Sequence, residues 1–95
     1  MKGKRLVPLR SVVGEKRFFA VNGDVYGNMA DLAEGLRAIG LQAFSYHVTL
    51  EKNDFAVWLR DCFGEVDLAR ALELAKSPHS MVLKISRHLE RATER

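Results

Sequence analysis

Residues 44–63 read FSYHVTLEKNDFAVWLRDCF, and the way this stretch divides between helix and strand decides the fold. Its second half is plain. Phe55, Trp58, Leu59 and Cys62 recur at intervals of three and four, with Phe63 adjoining, which is the apolar stripe of a helix over residues 54–63. Asn53 or Asp54 caps that helix, because a short acceptor there satisfies an orphan backbone amide. The first half has two readings. Phe44, His47 and Val48 fit helical spacing, whereas Phe44, Tyr46 and Val48 alternate against Ser45 and His47 as a strand would. The helix is preferred, since another strand would need a partner that the chain supplies poorly. Thr49 to Lys52 then forms a loop.

Working outward, the elements on both sides are mostly helical. Phe18, Phe19, Ala20 and Val21 suit a strand, Asn22-Gly23 is a hairpin signal with positive φ expected at both positions, and Asp24-Val25-Tyr26 returns. Asn28 reads as an N-cap with Asp31 reaching back, ahead of a stripe of Met29, Leu32, Ala33, Leu36 and Ile39 that ends at Gly40. Gly35 lies inside this helix at a cost of about 1 kcal/mol against alanine, and reads either as a mark of close packing or as an exposed glycine without a role. Beyond residue 63, Gly64 ends the Trp58 helix and Leu68, Ala71, Leu72 and Ala75 face inward from the next. Ser77-Pro78 restarts the chain as an N-cap with proline at the first helical position. Met81, Val82, Ile85 and Leu89 form the last stripe, after which ERATER is polar and expected to fray.

The fold expected is therefore α+β and mostly helical: a small β-hairpin packed against about four helices. Residues 1–17 form a basic N-terminal arm or edge segment, 18–89 a single compact domain, and 90–95 a frayed C-terminus. Phe55, Trp58, Leu59, Leu68, Leu72, Met81, Ile85 and Leu89 are expected in the core, closed on the other side by Phe19, Leu32 and Leu36. Pro8, in Leu6-Val7-Pro8-Leu9, argues against a central strand in the arm, because it has no ladder donor.

At 95 residues the chain suits one modest core, and its 47% apolar and 28% charged content is that of an ordinary globular protein. The net charge of +3 is unevenly spread. Residues 1–17 carry six basic side chains against one acidic, residues 84–95 four against two, and residues 18–83 five against nine. No apolar run reaches membrane-spanning length, and the basic N-terminus lacks the apolar stretch of a signal peptide, so no membrane and a cytoplasmic location are expected. Cys62 is alone, which excludes an intramolecular disulfide.

None of the residues that carry chemistry stands in a catalytic pattern. His47, His79 and His88 are far apart and no paired ligand motif anchors a metal site, so neither metal nor cofactor is expected. Asp54 and Asp61 are about 10 Å apart by helical rise, too far for a tight carboxylate pair. Cys62 falls on the apolar stripe, and no serine occupies a nucleophile elbow. His47 is expected to be partly buried, with a ring nitrogen bonded to a backbone group or to Asp54. Tyr26 and Trp58 are candidates for base stacking, though Trp58 equally suits a core anchor whose indole needs an acceptor.

Phe18-Phe19, Asn22-Gly23-Asp24, the Leu32 to Leu36 helix, Tyr46-His47-Val48 and Asn53-Asp54-Phe55 with Trp58 together resemble an uncharacterised family of small prokaryotic domains of unknown function. The resemblance covers about residues 18–89 and rests mainly on the Tyr-His-Val and Asn-Asp-Phe-x-x-Trp motifs. It implies a shared fold and carries no activity.

The function expected is a non-catalytic protein-interaction or regulatory module, with a protein partner or a second copy of the chain as its target. Candidate contacts are Tyr26, Tyr46, His47, Trp58 and the basic arm. Nucleic-acid binding is the alternative, through the arm and through Lys84, Arg87 and Arg91, which share one side of the last helix at intervals of three and four. A small enzyme centred on His47 is the third reading, and it requires a pocket joining His47 to Asp54 or Asp61.

Overall fold

The computed structural model describes residues 10–93. Lys2, Lys4, Arg5 and the Leu6-Val7-Pro8-Leu9 segment lie outside the described residues, as do Glu94 and Arg95. A 3-10 turn at Gly14–Lys16 leads into a two-stranded antiparallel hairpin, β1 (Phe18–Phe19) and β2 (Val25–Tyr26). Five helices follow: α1 (Met29–Arg37), α2 (Leu41–His47), α3 (Asp54–Phe63), α4 (Val66–Leu74) and α5 (Pro78–Thr93). The protein is thus a small α+β domain, a short hairpin on a mostly helical bundle. Among the described residues no helix is long and apolar enough to cross a membrane.

The hairpin turn differs from the tight two-residue form. Gly23 has φ 97°, while among the described residues no non-glycine has positive φ, so Asn22 does not take the conformation expected of it. Instead Gly23 N donates to Ala20 O and Ala20 N to Asp24 O, which closes a three-residue loop over Val21, Asn22 and Gly23. The Asn22 side chain accepts from Asp24 N at 3.0 Å and holds the loop's last residue.

Register decides which phenylalanine enters the core. Phe18 pairs with Tyr26 and Phe19 with Val25, and alternate residues of a strand face opposite ways. Phe18 and Tyr26 turn inward, with their rings stacked at 5.8 Å, and Phe19 is left 54% exposed. The expectation that Phe19 closes the core is thus corrected: Phe18 does so. Tyr26 in turn explains Gly35. A Cβ at Gly35 would collide with the Tyr26 ring, so the missing side chain lets the hairpin sit directly on α1.

The helix boundaries follow the caps. Asn28 accepts from Asp31 N at 2.8 Å, and the Asp31 carboxylate reaches back to Gly27 N. α1 ends at Arg37, so Gly40 opens α2 and does not close α1. The ambiguous stretch is helical through His47, and Val48 alone keeps strand character, in an isolated bridge to Asn53. Ser77 accepts from Ser80 N at the start of α5, which runs on through Thr93 rather than stopping at Leu89.

The core is continuous, from Phe18 and Tyr26 through Leu32, Leu36, Phe44, Phe55 and Leu59 to Leu72, Met81 and Ile85. Helix α1 packs on α5 and β2, while α4 packs on both α3 and α5. On α4 the fully buried alanine is Ala69, and Ala71 is half-buried. Leu89 is also half-buried, packed on the margin of the core.

Candidate binding surface

His47 closes α2 and lies buried against the hairpin, its ring 5.0 Å from that of Phe18 and 5.4 Å from that of Phe55. Both nitrogens are engaged. Val21 N donates to Nε2 at 2.9 Å, and Nδ1 lies 3.0 Å from Asp54 Oδ2. A backbone amide can only donate, so this network assigns Nε2 as the acceptor and places the proton on Nδ1, directed at the carboxylate. The histidine therefore ties three segments together: the hairpin loop, the end of α2 and the first turn of α3.

Asp54 is consequently not the helix cap. Asn53 takes that role, accepting from Ala56 N at 3.0 Å. Asp54 Oδ2 instead receives both His47 and Lys52 Nζ, the latter at 2.9 Å. Burial by itself would raise the Asp54 pKa. The hydrogen bonds from Lys52 and His47 outweigh it and hold the carboxyl below its ordinary value.

The candidate contact residues divide sharply. Tyr26 and Trp58 are buried and offer no ring face to a partner, which corrects their place among the contacts and the base-stacking candidates. The Tyr26 hydroxyl donates to Asp24 Oδ2 at 3.2 Å. Burial, and after it the adjoining Asp24 carboxylate, pushes its pKa up to about 12. Trp58 donates its indole N–H to Lys16 O at 2.8 Å and stands edge-on to Phe18 and Phe63. His47 is a structural joint with no open nitrogen. Tyr46, in contrast, is 59% exposed, its ring edge-on to His47 at 5.0 Å.

The arm and α5 fare differently. The described end of the arm is fastened down: Val12 N donates to Gly27 O, while the Arg10 guanidinium reaches Cys62 O at 3.0 Å and lies 4.9 Å from the Phe63 ring centre. On α5, Arg87 and Arg91 are exposed and Lys84 is half-buried. His79 is exposed on the first turn of the same helix, and His88 meets Glu65 at 3.2 Å. Among the described residues no group of three histidine, cysteine or acidic side chains is placed to hold a metal ion.

One surface was missed in the sequence. The outer face of the hairpin leaves the paired Phe19 and Val25 exposed, and Val21 is exposed in the adjoining loop. The signal was present in the alternation of β1 but was read in the wrong register. Two clefts lie elsewhere. One, of about 350 Å³, is bounded by the 48–53 turn, Val57, Glu73 and Lys76, and the other, of about 450 Å³, by the end of α1 and the start of α5. His47 lines neither of them.

No family model, curated protein or solved structure matches the chain.

Proposed function

We propose that the protein is a non-catalytic protein-interaction module that docks its partner on the outer face of the hairpin. The observation that supports this reading is the pair Phe19 and Val25, each about half exposed on one side of a hairpin whose other side is buried, with Val21 half exposed in the loop beyond them. Exposed apolar side chains gathered on one rigid element mark an interaction site more than scattered ones do. The state of His47 points the same way. A general base must reach a substrate proton, whereas this ring is buried with both nitrogens bonded inside the fold.

Photo-crosslinking in the producing cells tests the reading. A benzophenone side chain at Val25 is expected to give one discrete protein adduct, suppressed when Phe19 is also replaced by Ser. The same group at exposed Arg70 on α4 serves as the control. Equal adducts from both positions, or none from Val25, would remove the hairpin face as the docking surface. An adduct to nucleic acid would replace the protein partner by the alternative reading.

A further inference from the structure

The hairpin loop is fastened to the bundle through a nitrogen that a proton can take. Val21 N donates to His47 Nε2 at 2.9 Å, and this ring is 4% exposed. The loop's bonds from Gly23 N to Ala20 O and from Ala20 N to Asp24 O stay within the hairpin, so it can swing as a unit once the Val21 bond is gone. A neutral imidazole has one acceptor nitrogen and a charged one has none. A second proton on His47 therefore sets a ring N–H against the Val21 N–H. Neither a tautomer change nor a ring flip restores the acceptor, because both nitrogens of the cation donate.

The groups around the ring direct that proton to Nε2. From α3, Asp54 faces Nδ1 at 3.0 Å, and from the preceding turn Lys52 Nζ meets the same carboxylate oxygen at 2.9 Å. Phe18 of β1, Phe55 of α3 and Tyr46 of α2 present aromatic rings. Asp24, the acid of the hairpin, is turned to Asn22 and Tyr26, and Glu51 is exposed on the turn. The Lys52 and His47 bonds hold the Asp54 carboxyl below its ordinary value, so it is still a carboxylate where imidazoles ordinarily titrate, at about 6.5. It keeps the Nδ1 proton, and Nε2 is left to take another. We infer that His47 is an acid-released latch: its second proton frees Val21 and opens the 21–23 loop while the helical bundle stays folded. The closed loop needs the singly protonated ring, so falling pH favours the open one. Val21 is exposed in the loop beyond Phe19 and Val25, so opening alters the edge of the proposed docking face. The latch stands whether or not that face holds a partner.

Nuclear magnetic resonance of the full chain between about pH 8 and 4.5 tests this, a range that spans ordinary imidazole titration. Imidazole nitrogen shifts follow His47. Amide exchange, corrected for its intrinsic pH dependence, follows Val21 and, as the reference for the bundle, buried Leu59 of α3. Protection of Val21 should fall at least about tenfold as Nε2 gains its proton, with Leu59 unchanged. His47→Gln supplies an acceptor that does not titrate, and its Val21 amide should stay protected throughout. Asp54→Asn keeps an acceptor for Nδ1 but removes the carboxylate that favours the cation, and should move the opening to lower pH. Val21 protection indifferent to His47 protonation, or an Nε2 that gains no proton in the folded protein down to the lowest pH, would overturn the inference. Joint loss of Val21 and Leu59 protection would overturn it equally, since that is unfolding of the whole domain. Opening that persists in a folded His47→Gln variant, or that keeps its pH in Asp54→Asn, would assign the acid response to another group and reject the latch. Should His47→Gln fail to fold, the wild-type and Asp54→Asn profiles decide.

Discussion

Asn53 ties together two consecutive helices through a residue 19 positions away: its Nδ2 donates to Leu72 O at 3.1 Å near the end of α4, while its Oδ1 caps α3. The side chain is buried, so both polar ends must be satisfied within the protein. Asn53→Asp keeps an acceptor for Ala56 N but brings a carboxylate against the Leu72 carbonyl. Asn53→Ala loses both bonds. The expected losses are about 1–3 kcal/mol for Asp, from a buried carboxylate set against a Leu72 carbonyl that Ala75 N still satisfies, and about 1–2 kcal/mol for Ala, from the missing cap and the lost amide bond. Urea denaturation of the two variants checks this, and a Leu72 carbonyl that mattered little would leave Asp near wild type.

Gly35 inverts an ordinary helix preference. An exposed Gly→Ala change within a helix gains roughly 1 kcal/mol, but at this position the added methyl meets the Tyr26 ring. Gly35→Ala should therefore destabilise, by about 1–3 kcal/mol, since the overpacked ring must leave its place. Adding Tyr26→Ala removes the collision. The double variant should be more stable than the sum of the two single changes implies, and strict additivity in a thermal-denaturation cycle would contradict the contact.

His47 is expected to behave as a joint. His47→Phe keeps an aromatic ring among Phe18 and Phe55 but leaves Val21 N without its acceptor, at a cost of about 1–3 kcal/mol. His47→Gln, with one acceptor and one donor group, should lose less. Nitrogen chemical shifts of the wild-type imidazole should show the proton on Nδ1 and an unprotonated Nε2 at neutral pH. The opposite tautomer would mean that the Val21 bond is absent in solution.

Much of this architecture is legible in residue spacing, and the places where it is not have local causes. Stripes such as Phe55, Trp58 and Leu59 point to α3 because every member faces one core. The Asn28 and Ser77 caps are legible because their acceptors lie within three residues of their donors. Adjacent phenylalanines are different. Alternation alone cannot say whether Phe18 or Phe19 is inward until the loop length is known, and that loop is one residue longer than Asn22-Gly23 suggests. Tyr26 and Trp58 resembled contact residues because their polar tips suit a surface, but each finds an acceptor inside, in Asp24 and in Lys16 O. The exposed face of Phe19 and Val25 depends on the same register, and so it emerges only with the three-dimensional pairing of β1 and β2.

Alkaline pH should loosen the hairpin through Tyr26. Its hydroxyl stays protonated in the folded protein up to about 12, against an ordinary value of 10.0, because the burial of the ring and the neighbouring Asp24 carboxylate both disfavour the phenolate. A group whose pKa is raised on folding stabilises fully below its unfolded pKa and loses that contribution as pH climbs through the folded one. The window is therefore about pH 10 to 12. Across it the wild type should lose roughly 1–2 kcal/mol relative to Tyr26→Phe, less than the whole shift implies because the partner carboxylate is exposed. Tyr26→Phe removes the titrating hydroxyl while keeping the ring over Gly35. Its denaturation midpoint should accordingly fall less steeply than that of the wild type above pH 10, with the two curves parallel below it. Parallel curves throughout would mean that Tyr26 titrates alike in the folded and unfolded chains.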